Sequence, residues 1–254
     1  MEKKYYLITG ASSGIGRATV ETLDKLGACC VMIARDEEKL QKVRSGLGHP
    51  DNHLIIPYEL RDMEHYGEMF KLLKKKGVLL SGMVHCAGIT KVTPLRTFSM
   101  NQAMELFEIH FFAFLELIKW YSKKGVSDGG SIVGVSAINA HVPQKCMTAY
   151  ASAKSAVEGA CRTLALELSE KGIRINTVVV GGISGGMGAD LRETVDVAQT
   201  VTQGDGHTRY VNPVSRQLLG VGTPSQIADV ITFLLSDGAS FITGREIYAD
   251  GGLF

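Results

Sequence analysis

The chain has 254 residues, 45% of them apolar and 21% charged, with a formal net charge of +1 at neutral pH. That mix supports a sizeable buried core and excludes a disordered chain. Acids and bases are interspersed, which leaves no basic field for nucleic acid and no charged tail for an ionic partner.

One α/β domain over residues 1–254 is expected, since folds of about 250 residues are routinely a single unit. The five cysteines (Cys29, Cys30, Cys86, Cys146 and Cys161) are odd in number and contain no CxxC pair, which argues against a disulfide framework and a zinc site. No metal site is expected. The N-terminus MEKKYYLITG lacks a signal peptide's apolar core, and no apolar run approaches the roughly 20 residues of a membrane helix. A cytoplasmic protein with no membrane partner is expected.

Tyr5 to Thr9 is apolar and β-prone throughout, as a parallel strand buried on both faces should be. Gly10-Ala11-Ser12-Ser13-Gly14-Ile15-Gly16 follows it and opens a helical run through Leu26. Glycines between a strand and a helix permit a tight turn and close approach to a pyrophosphate, which sits at the positive end of the helix. Cys29 to Ala34 reads as a second strand. About 20 residues past the loop, a dinucleotide fold keeps an acid for the ribose 2′-hydroxyl, but here the chain has Ala34-Arg35. A guanidinium there favours a 2′-phosphate, so NADP(H) is expected, with Asp36 keeping NAD(H) open.

Residues 36–46 read as helix, 54–58 as strand and 63–76 as helix ending at Gly77. Residues 78–85 form a fourth strand that leads into Cys86-Ala87-Gly88. A long helix is expected over 101–124, a fifth strand over 131–136, a helix over 148–171 and a sixth strand over 173–180. Residues 182–222 are glycine-rich and then polar, as a segment covering a substrate would be. Pro224 starts a helix through Leu235, and Glu246 to Ala249 is a last strand.

Tyr150 and Lys154 stand four apart in a helical run and so share a face. A lysine ammonium beside a phenol favours the phenolate and lowers a pKa that starts at about 10.

TGASSGIG at 9–16, Cys-Ala-Gly at 86–88, YASAK at 150–154, IRIN at 173–176 and TGREIYADGG at 243–252 occur in order. Together they make the chain resemble the short-chain dehydrogenase/reductase superfamily from Tyr5 to Gly252, nearest in type to its 3-oxoacyl carrier-protein reductases. The resemblance implies a Rossmann-type, doubly wound parallel sheet of about seven strands with helices on both faces. It implies a nicotinamide dinucleotide held by Gly10, Ser12, Ser13, Gly14, Ile15, Gly16, Arg35, Leu60, Cys86, Ala87, Gly88, Tyr150, Lys154 and Ile183. It also implies a small carbonyl or alcohol substrate, Tyr150 as the acid, Lys154 as its electrostatic helper, and a homo-oligomer, tetramer or dimer.

The family pattern is broken at several places. Its serine on strand five falls on Ala137, with Ser136 adjacent but pointing to the opposite face unless a bulge turns it inward. Its helix-four asparagine falls on His110, and its nicotinamide-binding threonine on Gly185. His110, Asn139 and His141 are candidate replacement donors, His110 being counted with Tyr150 and Lys154 in the catalytic set. Cys146 reads as a pocket-mouth thiol without an activating partner. Three readings follow: an NADP(H)-dependent reductase of reduced rate, a catalytically impaired sensor or structural subunit, and an epimerase or dehydratase with His110 as base.

Overall fold

The computed structural model describes residues 3–185 and 216–253, so most of the expected covering segment lies outside the described residues. The strands are β1 (Tyr5–Thr9), β2 (Cys29–Ala34), β3 (Leu54–Pro57), β4 (Leu80–His85), β5 (Ser127–Ala137), β6 (Ile173–Val180) and β7 (Glu246–Ala249). They form one sheet in the order β3-β2-β1-β4-β5-β6-β7, and every pair is parallel. The helices are α1 (Gly14–Lys25), α2 (Glu37–Ser45), α3 (Tyr66–Lys75), α4 (Met100–Phe107), α5 (Ala113–Tyr121), α6 (Thr148–Ser169) and α7 (Pro224–Leu235).

Alternation along the strands sorts the core into two layers. Leu7, Val31, Met83 and Ile132 pack with Phe114, Tyr121 and Val157 on one face. Ile8, Met32, Val84 and Val133 pack with Val20, Ile227 and Ile231 on the other. With period-two side chains and helices on both faces, the strands read as continuous apolar runs. Chain order reverses between β1 and β4, and the crevice at their C-terminal ends is where such sheets bind ligands. No helix among the described residues is long and apolar enough to cross a membrane.

β4 starts at Leu80 and α3 at Tyr66, two and three residues later than read from the sequence, and two further elements differ more. β5 begins at Ser127 rather than 131 and passes through Gly129 and Gly130 at φ of +93° and +109°, where a Cβ on Gly130 would meet the Ser81 carbonyl oxygen at 2.2 Å. The expected helix over 101–124 is divided by a π-helical turn, Glu108–Phe112, between α4 and α5. Such a turn displaces carbonyls from the α-helical ladder. His85, at the end of β4, donates from Nε2 to Ile109 O (2.9 Å) and accepts at Nδ1 from the Thr9 hydroxyl (3.0 Å). Burial keeps this imidazole neutral, pushed down to about 3.

At the far end of α1 from the glycine turn, the buried Asp24 gathers the loop before β3. It accepts from Gly48 N (2.7 Å), His53 Nε2 (2.9 Å) and His49 N (3.1 Å). Burial pushes the carboxyl up, but the bonds from His53, Gly48 and His49 outweigh it and hold the group below its ordinary value. A depressed carboxylate stabilises the fold above its unfolded pKa, and that stability is lost as pH falls through the folded pKa. Asp24→Ala is therefore expected to cost about 2–3 kcal/mol at pH 7. Urea unfolding across pH should show the gap from wild type narrowing in acid; a gap independent of pH would contradict the charge assignment.

Candidate active site

The glycine turn leaves β1 at the reversal point, and two of its glycines are required sterically. A Cβ on Gly16 would lie 2.4 Å from Gly10 O, and one on Gly10 would lie 2.9 Å from Ala87 N. The turn therefore nests against α1 on one side and the end of β4 on the other. Ala87 N also donates to the Thr9 hydroxyl at 3.1 Å. The first turn of α1 carries no acid, so its free N–H groups and dipole favour an anion.

In front of this turn is a cleft of about 460 Å³, lined along one wall by Gly10, Ser12, Ser13, Ala34 and Arg35 and closed at its inner end by Ala87, Gly88 and Ile89. Gly10, Ser12, Ser13, Arg35, Leu60, Ala87 and Gly88 of the expected cofactor set line it. Gly14, Ile15 and Gly16 lie at the start of α1 behind it. Cys86, Tyr150, Lys154 and Ile183 are not among its lining residues; Ile183 bridges to Gly222 beside β6.

Two cations at the outer end escaped the sequence reading. Lys39 and Arg61 line the cleft with Arg35. The acids there are already engaged. Asp36 caps α2 by accepting from Lys39 N (3.0 Å) and pairs with Lys39 Nζ (3.0 Å). Glu59 takes Arg61 through both carboxylate oxygens (3.1 and 3.2 Å) and stands 3.8 Å from Arg35. Lys39 was legible only as an (i, i+3) partner of Asp36. Nothing in the local pattern brings Arg61, past β3, beside Arg35.

Past the inner end, α6 presents Tyr150 and Lys154. Lys154 is 5% exposed, and its Nζ donates to Val135 O at 2.7 Å, standing 5.8 Å from the Tyr150 ring centre. Burial pushes Lys154 down to about 8, opposed by Cys86 and Glu158. Burial alone pushes the Tyr150 phenol up to about 12. In this arrangement burial of the ring sets the direction of the phenol's shift. The ammonium is spent on a β5 carbonyl, and desolvation of the ring prevails.

His110 joins the two halves. The π-turn brings its imidazole edge-on to the Tyr150 ring, with centres 5.5 Å apart at 84°. It lies 2.7 Å from Ile89 O through Nε2. With that contact Nε2 carries the proton, since the other tautomer would set two lone pairs against each other. Nδ1 is then a buried acceptor with no hydrogen-bond partner. Desolvation and Lys154 hold His110 well below its ordinary pKa, so the ring is neutral. In this tautomer it accepts hydrogen bonds at Nδ1 and has no N–H left to replace the serine's hydroxyl.

The other candidate donors are occupied elsewhere. Register between β5 and β6 is regular through Ser136↔Val179 and Ala137↔Val180, so no bulge turns Ser136 inward. Its hydroxyl donates to Glu158 at 2.5 Å. Asn139 donates to Gln144 Oε1 at 2.7 Å, and His141 Nε2 stands 3.1 Å from Glu158. Cys146 holds φ +64°, and its carbonyl accepts from Thr93 N at 2.8 Å, tying the loop before α6 to the loop after β4. Gly185, near the start of the covering segment, takes φ +71°.

The family model described as enoyl-(acyl carrier protein) reductase matches residues 10–254. The chain is 31% identical to 2,3-dihydro-2,3-dihydroxybenzoate dehydrogenase of Bacillus subtilis (strain 168), covering 99% of this chain and 96% of that protein. It is 31% identical to the 3-oxoacyl-[acyl-carrier-protein] reductase FabG of Rickettsia conorii (98% and 96% covered). Among solved structures, a glucose/ribitol-type short-chain dehydrogenase/reductase from Brucella melitensis superposes with TM-score 0.87 at 27% identity, covering 100% of this chain and 98% of that one. A 4-hydroxyisoleucine dehydrogenase complexed with NADH shares the fold at TM-score 0.83 and 22% identity, with 99% and 98% covered.

A Cβ on Gly88 would fall 2.2 Å from His110 Cε1. Gly88→Ala should therefore push the imidazole off Ile89 and cost about 1–3 kcal/mol in chemical unfolding. In Gly88→Ala/His110→Ala part of that loss should return, giving a coupling that two independent lesions would not show.

Proposed function

The chain belongs to the short-chain dehydrogenase/reductase superfamily, a family of oxidoreductases, and from that premise we propose that it is an NADP(H)-dependent reductase or dehydrogenase acting on a small carbonyl or alcohol. One observation carries this reading. The inner end of the cleft and the Tyr150–Lys154 stripe meet across the His110 ring, which touches Gly88, Ile89 and Tyr150.

The residues present suit a nicotinamide dinucleotide. Gly10, Ser12, Ser13, Gly14, Ile15 and Gly16 offer the acid-free helix start, and Leu60, Cys86, Ala87, Gly88 and Ile183 are proposed as further contacts along the same edge. When bound, the cofactor supplies or takes up the hydride. Tyr150 holds the proton at its phenol oxygen and gives it to the carbonyl oxygen, or takes it back in the reverse direction. Lys154 supplies positive charge that stabilises the phenolate left behind. His110, neutral and accepting, fixes the inner wall.

The preference for NADP(H) rests on Arg35, Lys39 and Arg61, together with the commitment of Asp36 to its helix cap. With its carboxylate bound to Lys39 N and Nζ, Asp36 is poorly placed to receive a ribose diol, whereas two guanidiniums can exchange Glu59 for a phosphate. The residues 182–222 remain our candidate substrate cover. Assembly as a homo-oligomer is supported by the exposed Met100, Met104, Phe112 and Leu166 on the helices and Tyr248 on β7.

A second reading, an impaired dinucleotide-binding sensor or structural subunit, is favoured by one feature: Ala137 offers no hydroxyl and Ser136 is committed to Glu158. One missing oxyanion donor lowers a rate by about 10²–10³. A slow enzyme is thus the first reading's own expectation.

NADPH consumption over a panel of ketones and 3-oxoacyl thioesters is expected to be slow in wild type and lost in Tyr150→Phe. Ala137→Ser should raise the rate by about 10² if the new hydroxyl reaches the substrate oxygen. No turnover in either protein, with NADPH still bound, would favour the sensor reading. Arg35→Ala and Arg61→Ala should each weaken NADPH binding about 10–100-fold, by fluorescence titration, and NADH binding far less. Equal losses for the two cofactors would overturn the NADP(H) assignment.

A further inference from the structure

We infer that Glu158 is a positioning residue of the Tyr150–Lys154 site: its buried carboxylate is the counter-charge to the Lys154 ammonium, and it moors the loop after β5 to helix α6. The inference rests on the reading of Tyr150 and Lys154 given above. Tyr150, Lys154 and Glu158 succeed one another at intervals of four residues, so they form a single stripe on α6. Glu158 is 3% exposed, and a carboxylate so placed is retained only where partners compensate its desolvation.

Its partners come from β5 and the loop that follows it. From β5, Ser136 donates its hydroxyl at 2.5 Å. From the loop beyond, His141 Nε2 stands 3.1 Å away, and its Nδ1 lies 3.1 Å from the Tyr248 hydroxyl on β7. Glu246, also on β7, closes the cluster and is itself bound by Arg162 of α6. Cys161 is the other titratable neighbour on the helix. This chain of contacts holds the loop that leads to Cys146, Tyr150 and the mouth of the site.

The groups around Lys154 define the electrostatic part. On its own helix these are Tyr150 and Glu158; from the end of β4 and the residue after it come His85 and Cys86; from the π-turn comes His110. The two imidazoles are neutral, the phenol is held up at about 12, and the Cys86 thiol is likewise pushed up to about 12. Glu158 is the carboxylate in this set. Lys154 bonds the Val135 carbonyl and Glu158 bonds the next residue, Ser136, so the two groups face the same stretch of β5. With Cys86, the Glu158 charge opposes the burial that pushes Lys154 down to about 8. Removing that charge lowers the lysine further, so the ammonium is lost at lower pH. A purely structural tether would leave this titration in place.

The test uses full-length protein carrying lysines labelled at Cε, titrated by NMR, with Lys154→Met identifying the resonance. Glu158→Gln keeps the shape and an acceptor for Ser136 but removes the charge. Its Lys154 midpoint should fall by about half a unit or more, and the alkaline limb of NADPH-dependent turnover should fall with it. His141→Ala cuts the mooring and leaves the charge; it should raise the substrate KM with little change in the midpoint. If Glu158→Gln does not fold, Glu158→Asp withdraws the carboxylate by one methylene and should lower the midpoint by less. A midpoint unchanged in the Glu158 variants, or moved as far by His141→Ala, overturns the inference. The titration needs neither cofactor nor substrate, so a wild type that fails to bind NADPH would defeat the functional reading while this result still decides the role of Glu158.

Discussion

A lysine ammonium cut off from water must be held by fixed dipoles or give up its proton. Lys154 meets this constraint with the 2.7 Å bond to Val135 O and a carboxylate one turn along its helix. The rest of the site is arranged around that solution. Val135 lies one residue past the last β4–β5 pair, His85↔Gly134, and its carbonyl accepts from Lys154 while β5 stays in register with β6. The next residue of the same strand, Ser136, gives its hydroxyl to Glu158. The charge of the lysine and the loss of a serine donor are thus linked through one strand.

The π-turn is the second structural commitment. Within it the Ile109 carbonyl accepts from His85 Nε2 at the end of β4, and the Thr9 hydroxyl at the end of β1 holds that imidazole through Nδ1. Its consequence is that His110 fills the space beside Gly88 and presses edge-on against Tyr150. A neutral ring there contributes apolar bulk and one acceptor. It shields the phenol from water, which is part of why desolvation dominates its pKa. Binding and acidity are therefore set by the same packing.

Much of the framework was legible because its signals are local. Continuous apolar, β-prone runs marked the strands, glycines marked the turn after β1, and the spacing of Tyr150 and Lys154 placed them on one helix face. The capping box of Thr223 and Gln226 likewise fixed the start of α7 where Pro224 suggests. What escaped depends on contacts between residues far apart in the chain. The π-turn meets His85 from β4, Arg61 joins Arg35 only once β3 lies beside β2, and Glu158 acquires meaning only when β5 and β7 close over it. The direction of the Lys154 side chain belongs to the same class, since spacing specifies proximity to Tyr150 but not which acceptor the ammonium chooses.

That choice bears on how a slow enzyme and a sensor would differ physically. A cofactor-binding protein with no catalytic duty has little reason to bury a lysine, a glutamate and an unpartnered imidazole nitrogen in one cluster, because each costs desolvation free energy that apolar residues of similar volume would avoid. Loss of the serine donor removes about 2.7–4 kcal/mol of transition-state stabilisation, yet the charged cluster behind it persists intact. The buried cluster therefore supports the proposed enzyme reading, with Tyr150 as proton donor, over the sensor reading.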